Sequence, residues 1–206
     1  MFPRQRCSDN SGGTWGSSRP SEPAPSYKAG AGTIPSVDLK RFIRDVSDFP
    51  QPGILFRDIT PLLADAAAFR HAIGGLADEA ARRQPTAIVG IESRGFLFGG
   101  PVADRLGLPF VPVRKPGKLP AARMSVEYTL EYGENQLDIH ADALARGARA
   151  FIIDDLLATG GTARAAAKLV ELVGADVAGF GFLIELMALN GRERLGGYDI
   201  TTLLRY

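Results

Sequence analysis

Apolar positions are sparse up to residue 36 and then recur with two distinct periods. Residues 1–36 are rich in Ser, Gly and Pro and poor in aliphatic side chains. Such a segment buries too little surface to offset its ordering entropy, so the pattern predicts a disordered tail. A partner-binding arm, anchored on Trp15 and Tyr27, is the alternative. From residue 37 to 206 the pattern predicts one folded domain. Val37 to Val46 reads as a short amphipathic helix, and Phe49 to Thr60 as a Pro-interrupted loop. Asp65 is placed to cap a helix running to about Arg83. Ala87 to Ile91 is a short apolar strand, and Phe96 to Leu106 a helix closed by Gly107. Phe110 to Arg114 is a strand whose internal Pro112 points to a sheet edge. Val126 to Tyr132 and Asn135 to Ile139 read as a hairpin around Gly133-Glu134.

Phe151 to Ile153 begins a buried strand, and Ala163, Ala166, Ala167, Leu169, Val170 and Val173 recur at helical spacing. A strand from Val177 to Leu186, a helical stretch from Asn190 to Leu195 and a strand from Ile200 to Leu204 complete the chain. Short, continuously apolar strands alternating with helices indicate an α/β fold, with a mostly parallel twisted sheet flanked by helices. Ligands of such sheets sit beyond the carboxyl ends of the strands.

Composition narrows the function classes. The 206 residues carry a formal net charge of +1, which argues against a general nucleic-acid or membrane binder. Cys7 is the only cysteine, so no disulfide forms within the chain and a reducing, cytoplasmic setting is expected. The N-terminus lacks the apolar stretch of a secretory signal, and no apolar run approaches the roughly 20 residues of a membrane span. His71 and His140 stand apart, without cysteine or aspartate at ligand spacing, and predict no metal site.

The chemistry concentrates in Phe151 to Thr162, FIIDDLLATGGT. A buried strand runs into Asp154 and Asp155, then into Ala158-Thr159-Gly160-Gly161-Thr162 and a helix N-terminus. Backbone N–H groups, hydroxyls and the positive end of the helix converge there, which makes an anion cradle. The carboxylates suit hydroxyl groups or a hydrated metal. A sugar phosphate satisfies both halves. The bland reading is a βα turn whose glycines only permit tight geometry.

Other segments carry charge to the same sheet edge. Arg94, in Glu92-Ser93-Arg94-Gly95-Phe96, opens a helix, where a cation is unfavourable unless an anion pairs with it. It reads either as a second anion site or as a solvated arginine. Arg114, Lys115 and Lys118 stand in a Gly/Pro loop after a strand, suited to pyrophosphate or simply solvated. Ala121 to Ser125 shows no period and suits a lid. Glu131 follows as an acid/base candidate, against the reading of an exposed strand carboxylate. Phe56 is an aromatic in a Pro/Gly loop, equally a core plug or a platform for a flat base.

The strand ending in two acids and followed by Thr-Gly-Gly-Thr resembles the phosphoribosyl pyrophosphate (PRPP) motif of type I phosphoribosyltransferases. Five segments together resemble the adenine phosphoribosyltransferase family: Pro52 to Asp58, Ser93 to Phe96, Arg114 to Pro120, Leu130 to Gly133 and Asp154 to Thr162. The resemblance covers roughly Val37 to Leu204. Ala158 stands where related enzymes for 6-oxopurines usually carry an aspartate, which fits the adenine branch. The resemblance implies the type I fold with a small N-terminal hood and a flexible lid loop, Lys115 to Ser125, with Tyr132 also assigned to the lid. It implies that adenine and PRPP give AMP and pyrophosphate, with Mg²⁺ carried by PRPP and without a direct protein ligand. Ala158 to Thr162 then hold the 5′-phosphate, and Asp154 and Asp155 the ribose hydroxyls. Arg94, Arg114, Lys115 and Lys118 meet the pyrophosphate. Phe56 stacks on adenine while backbone groups of Leu55 and Arg57 read its edge, and Glu131 is the acid/base group. A homodimer is implied, with no nucleic-acid or membrane partner. Two rivals stay open: a PRPP-sensing DNA-binding regulator, disfavoured by the lack of a helix-turn-helix segment, and a transferase for another purine.

Overall fold

The computed structural model describes residues 37–130 and 133–206, without the side chains of residues 129, 130, 133 and 134. The predicted tail, Glu131 and Tyr132 lie outside the described residues.

Five strands form one all-parallel sheet: β3 (Ala87–Ile91), β4 (Phe110–Val113), β7 (Arg149–Leu157), β8 (Asp176–Glu185) and β9 (Ile200–Arg205). Their order is β4-β3-β7-β8-β9. Pro112 lies in the edge strand β4, where its missing N–H interrupts no ladder on the open side. β3 is buried at every position, as expected of a strand covered on both faces. Helices α2 (Ala66–Arg82) and α3 (Arg94–Leu106) cover one face, where Leu76, Phe98 and Val102 pack with Ile88, Phe151 and Ile153. Helix α4 (Gly161–Leu172) and a hairpin of β5 (Arg123–Leu130) and β6 (Gly133–His140) cover the other. There Ala166, Leu169, Leu137 and Ile139 meet Val89, Ile152 and Phe182. Asp65 caps α2 as predicted, its Oδ1 accepting from the N–H groups of Ala67 and Ala68 at 3.0 and 2.8 Å.

Several expectations change. The helix predicted over Val37 to Val46 is a 3₁₀ turn, Leu39–Phe42, followed by strand β1 (Arg44–Ser47). Only Leu39 of that turn is buried, so a longer helix has no core to cover. The loop predicted from Phe49 to Thr60 contains strand β2 (Leu55–Asp58), which pairs antiparallel with β1, and the first residue of α1 (Thr60–Ala64). This two-stranded ribbon is the expected hood. The segment expected to end the lid, Arg123 to Ser125, lies in β5 instead, paired with Asp138 to His140. Gly133 and Glu134 belong to β6 rather than to the turn of that hairpin. Helix α3 begins two residues early, at Arg94, and the short helix α5 spans Gly191–Arg194. Asp154 and Asp155 lie inside β7, whose pairing with β8 continues to Leu157, rather than past its end.

Candidate active site

The parallel sheet sends the carboxyl ends of β3, β4 and β7 to one edge, and their loops meet there. After β7 the chain turns through Gly160, which has φ of +79° and is the N-cap of α4. A Cβ there would lie 2.5 Å from the Gly191 carbonyl oxygen, so both the left-handed backbone and the close packing demand glycine. The turn lets the first N–H groups of α4, which have no partner within the helix, face the loop 158–162. A cavity of 230 Å³ opens against this loop, lined by Arg94, Asp154, Asp155 and every residue from Leu156 to Ala163. All five residues predicted for the phosphate cradle thus line one concave site, together with both acids.

Gly95 brings the second element in. Its Cβ would meet the Ile153 carbonyl oxygen at 2.7 Å and Asp154 Oδ1 at 2.9 Å, so only glycine lets α3 start this close to β7. The approach puts Arg94 Nε 3.0 Å from Asp155 Oδ2. The anion facing Arg94 is therefore a carboxylate of the site itself, and the Arg94 side chain is still 40% exposed.

The acid pair is strongly perturbed. Burial pushes the Asp154 carboxyl well above its ordinary range, and the adjacent Asp155 charge adds to the effect. The Asp155 N–H donates to Asp154 Oδ1 at 2.9 Å and offsets only part of it. Burial also raises Asp155, against the opposing charge of Arg94. Two partly desolvated carboxyls beside an exposed cavity suit hydroxyl groups, which donate to them and replace lost water.

A second cavity, of 220 Å³, shares Arg94, Asp154, Asp155 and Thr162 with the first and adds Glu92, Ser93, Lys115, Tyr128, Asn135 and Leu137. Glu92 organises the basic loop. Its Oε2 accepts from the Lys115 N–H at 3.0 Å and faces Arg114 Nε at 3.2 Å. Burial opposes its ionisation, but these hydrogen bonds and the charges of Arg114 and Lys118 together hold its carboxyl below the usual range. Arg114 also donates to the Lys118 carbonyl at 3.3 Å and exchanges backbone hydrogen bonds with Asp138. Of the three predicted cations, Lys115 lines the cavity; Arg114 is committed to Glu92, and Lys118 lines neither cavity. Glu92, Tyr128 and Asn135 were missed by sequence reasoning as site residues. Glu92 was detectable as the last residue before the Ser93-Arg94-Gly95 turn. Tyr128 and Asn135 come from the hairpin, and no local signal places them here.

Phe56 of β2 lies under Arg94, with the guanidinium carbon 5.6 Å from its ring centroid, and meets Phe49 edge-on at 5.1 Å. Phe56 is thus a hood residue beside Arg94 and belongs to neither core cluster. Among the described residues, no group of three or more His, Cys, Asp or Glu side chains is arranged to hold a metal ion, and no helix is long and apolar enough to cross a membrane.

The model of the phosphoribosyl transferase domain matches residues 58–202. An adenine phosphoribosyltransferase of Synechococcus sp. is 57% identical over 170 residues, covering 82% of this chain and 99% of the relative. The crystal structure of the enzyme from Thermoanaerobacter pseudethanolicus is 55% identical, covers 82% of this chain and 98% of its own, and superposes with a TM-score of 0.80. The Saccharomyces cerevisiae enzyme, crystallised with an imino-altritol bisphosphate and adenine, is 40% identical at a TM-score of 0.75, covering 81% of this chain and 96% of its own. With a type I phosphoribosyltransferase sheet, a matching domain model and relatives of this identity along nearly their whole length, the chain belongs to the adenine phosphoribosyltransferase family.

Proposed function

We propose that this chain transfers the 5-phosphoribosyl group of PRPP to adenine, releasing AMP and pyrophosphate, in purine salvage. The observation that carries this reading is the convergence of the 158–162 cradle, the Asp154–Asp155 pair and Arg94 on one cavity, with the ring of Phe56 5.6 Å from the Arg94 guanidinium carbon.

Each part of the reaction has its residues. The 5′-phosphate sits at the N-terminus of α4, against the N–H groups of Thr159 to Thr162. The ribose hydroxyls donate to Asp154 and Asp155. Adenine lies on Phe56, and the backbone of Leu55 and Arg57 reads its edge. Adenine N9 attacks the anomeric carbon, the bond from that carbon to the pyrophosphate oxygen breaks, and its electron pair leaves with pyrophosphate. The sugar is cation-like at this point, and the buried acids place negative charge near it. Arg94 and Lys115 meet the departing charge, and preorganised groups of this kind are worth most in a water-excluded site. Arg114 and Lys118 complete the basic loop that Glu92 holds in place. The proton on adenine N7 passes to Glu131, which follows β5. The lid is confined to residues 115–122, because β5 begins at Arg123; Tyr132 is also assigned to the lid by family resemblance.

Mg²⁺ belongs to the substrate: it arrives on PRPP and neutralises the pyrophosphate. The enzyme works as a homodimer in the cytoplasm, and light scattering at two concentrations reads the oligomeric state. The transferase domain spans residues 37–206.

Turnover of radiolabelled adenine, hypoxanthine, guanine and xanthine with PRPP and Mg²⁺ tests the activity. Adenine alone is used at an appreciable rate, because a site that hydrogen-bonds a 6-amino group leaves its own groups unpaired on a 6-oxopurine. Preference for a 6-oxopurine, or no transfer to any base, overturns the reading.

A further inference from the structure

The hood pairs with no strand of the main sheet among the described residues. Side-chain contacts must therefore set its height above the ribose site. Successive side chains of a strand point to opposite faces. Phe56 faces Arg94, and its neighbour Arg57 faces the other way, onto the ring of Tyr206.

That contact is close. The Arg57 guanidinium carbon lies 4.0 Å from the Tyr206 ring centroid, and Lys40 Nζ lies 5.3 Å from the same centroid. The Arg57 side chain is only 17% exposed, and a partly desolvated cation is held more firmly by an aromatic face than a solvated one. Arg57 also pairs with Asp45, its register partner across the ribbon. Tyr206 is itself anchored to the main sheet at both backbone polar groups. Its N–H donates to the Glu185 carbonyl at 3.0 Å, and its carbonyl accepts from the Met187 N–H at 2.8 Å. The ring is thus a post fixed to the end of β8, and the hood strand that carries Phe56 rests on it through Arg57.

We propose that Tyr206 is a positioning residue for the purine base: it sets, through Arg57, where the backbone of Leu55 and Arg57 and the ring of Phe56 stand above the ribose site. It governs the affinity for adenine and leaves the phosphoribosyl half of the site untouched. This rests on the reading that adenine stacks on Phe56.

Steady-state kinetics with each substrate varied in turn, on the full chain, tests it. Tyr206→Phe keeps the aromatic face, and its KM values stay within about twofold of wild type. Tyr206→Leu keeps apolar bulk without that face. It raises the KM for adenine by about 3- to 30-fold, the range of a partly buried cation–π contact, and leaves the KM for PRPP within about twofold. Arg57→Met breaks the same contact from the hood side and gives the same adenine-selective rise, so the test stands should Tyr206→Leu fail to fold. In the double variant the adenine KM rises no further than in the more affected single variant, because the Arg57–Tyr206 contact that both variants break is lost only once. A parallel rise in both KM values, no change in either, Tyr206→Phe as impaired as Tyr206→Leu, or additive effects in the double variant overturns the proposal. Failure of the wild-type enzyme to turn over adenine overturns the underlying reading as well, and is seen before any variant is compared.

Discussion

Asp154 and Asp155 spend stability at the cavity where the proposed reaction places negative charge. The ordinary value for such a carboxyl is 3.8, and Asp154 is pushed well above it by burial first and by Asp155 second. A raised folded pKa means that the folded chain holds the proton more tightly than the unfolded chain. The contribution of Asp154 to stability is then greatest below the unfolded value and falls as pH rises through the folded one. Replacing Asp154 by Asn removes that dependence. The thermal midpoint of substrate-free Asp154→Asn relative to wild type therefore increases as pH rises above the ordinary carboxyl value of 3.8, as differential scanning fluorimetry will show. Activity moves the other way. Loss of one preorganised charged group lowers kcat by about 10²–10³-fold in either Asp154→Asn or Asp155→Asn, and near wild-type rates in both variants would remove the ribose assignment. Glu131→Gln tests the proton acceptor: it lowers kcat by about 10²–10⁴-fold, with dissociation constants for adenine and PRPP little changed. Full kcat in that variant would return Glu131 to a solvated carboxylate.

Elements differ in whether they serve stability or the site, and two helix N-termini show the contrast. The cap of α2, Asp65, accepts two backbone hydrogen bonds far from the cavity loops. Asp65→Ala costs about 1 kcal/mol of stability and leaves kcat and both KM values unchanged, as paired thermal and kinetic measurements will show. The cap of α4, Gly160, sits at positive φ against the Gly191 carbonyl. Gly160→Ala shifts the loop proposed to cradle the phosphate, so it raises the KM for PRPP by at least about tenfold, on top of a backbone penalty of about 1–3 kcal/mol. Equal effects of the two substitutions on PRPP would mean that the α4 terminus is no more than a structural cap. The elements also mark where sequence patterns mislead. Val37 to Val46 hold enough apolar residues for a helical stripe, yet the segment becomes a short turn and a strand. Its partner strand lies across Pro50-Gln51-Pro52-Gly53, and pairing with Leu55–Asp58 outweighs a weak local propensity.

At the scale of the molecule, the sheet does the positioning and the appendages tune it. The two cores on either face of the sheet draw on residues from Leu39 to Leu204, and the segment 1–34 has no aliphatic pattern to join them. Deleting residues 1–34 leaves kcat unchanged and moves the thermal midpoint by less than about 5 °C, a shift on the order of 1 kcal/mol for a domain. A larger drop in a melting experiment would show that the segment packs on the domain.

The division between what was legible and what was not follows the range of the physics. The run from Phe151 to Thr162 announced a strand, a glycine turn and a helix start, because these are set by neighbours within a few residues, but not where the strand ends: pairing with β8 carries it through both acids to Leu157. The order of the five motifs also carried the family, since residue identities at matched positions are a property of the chain itself. Pro112 announced a sheet edge, and Asp65 announced a helix cap, for equally local reasons. Only the tertiary structure decided which of the candidate cations meet the cavity. Arg94 is drawn to Asp155 by the close approach at Gly95, while Arg114 turns to Glu92 across neighbouring parallel strands. Tyr206 stands under the hood only because β9 joins the sheet beside β8. These contacts link residues far apart in sequence, so no local pattern encodes them. They exist because strand order and register close long loops onto one edge of the sheet.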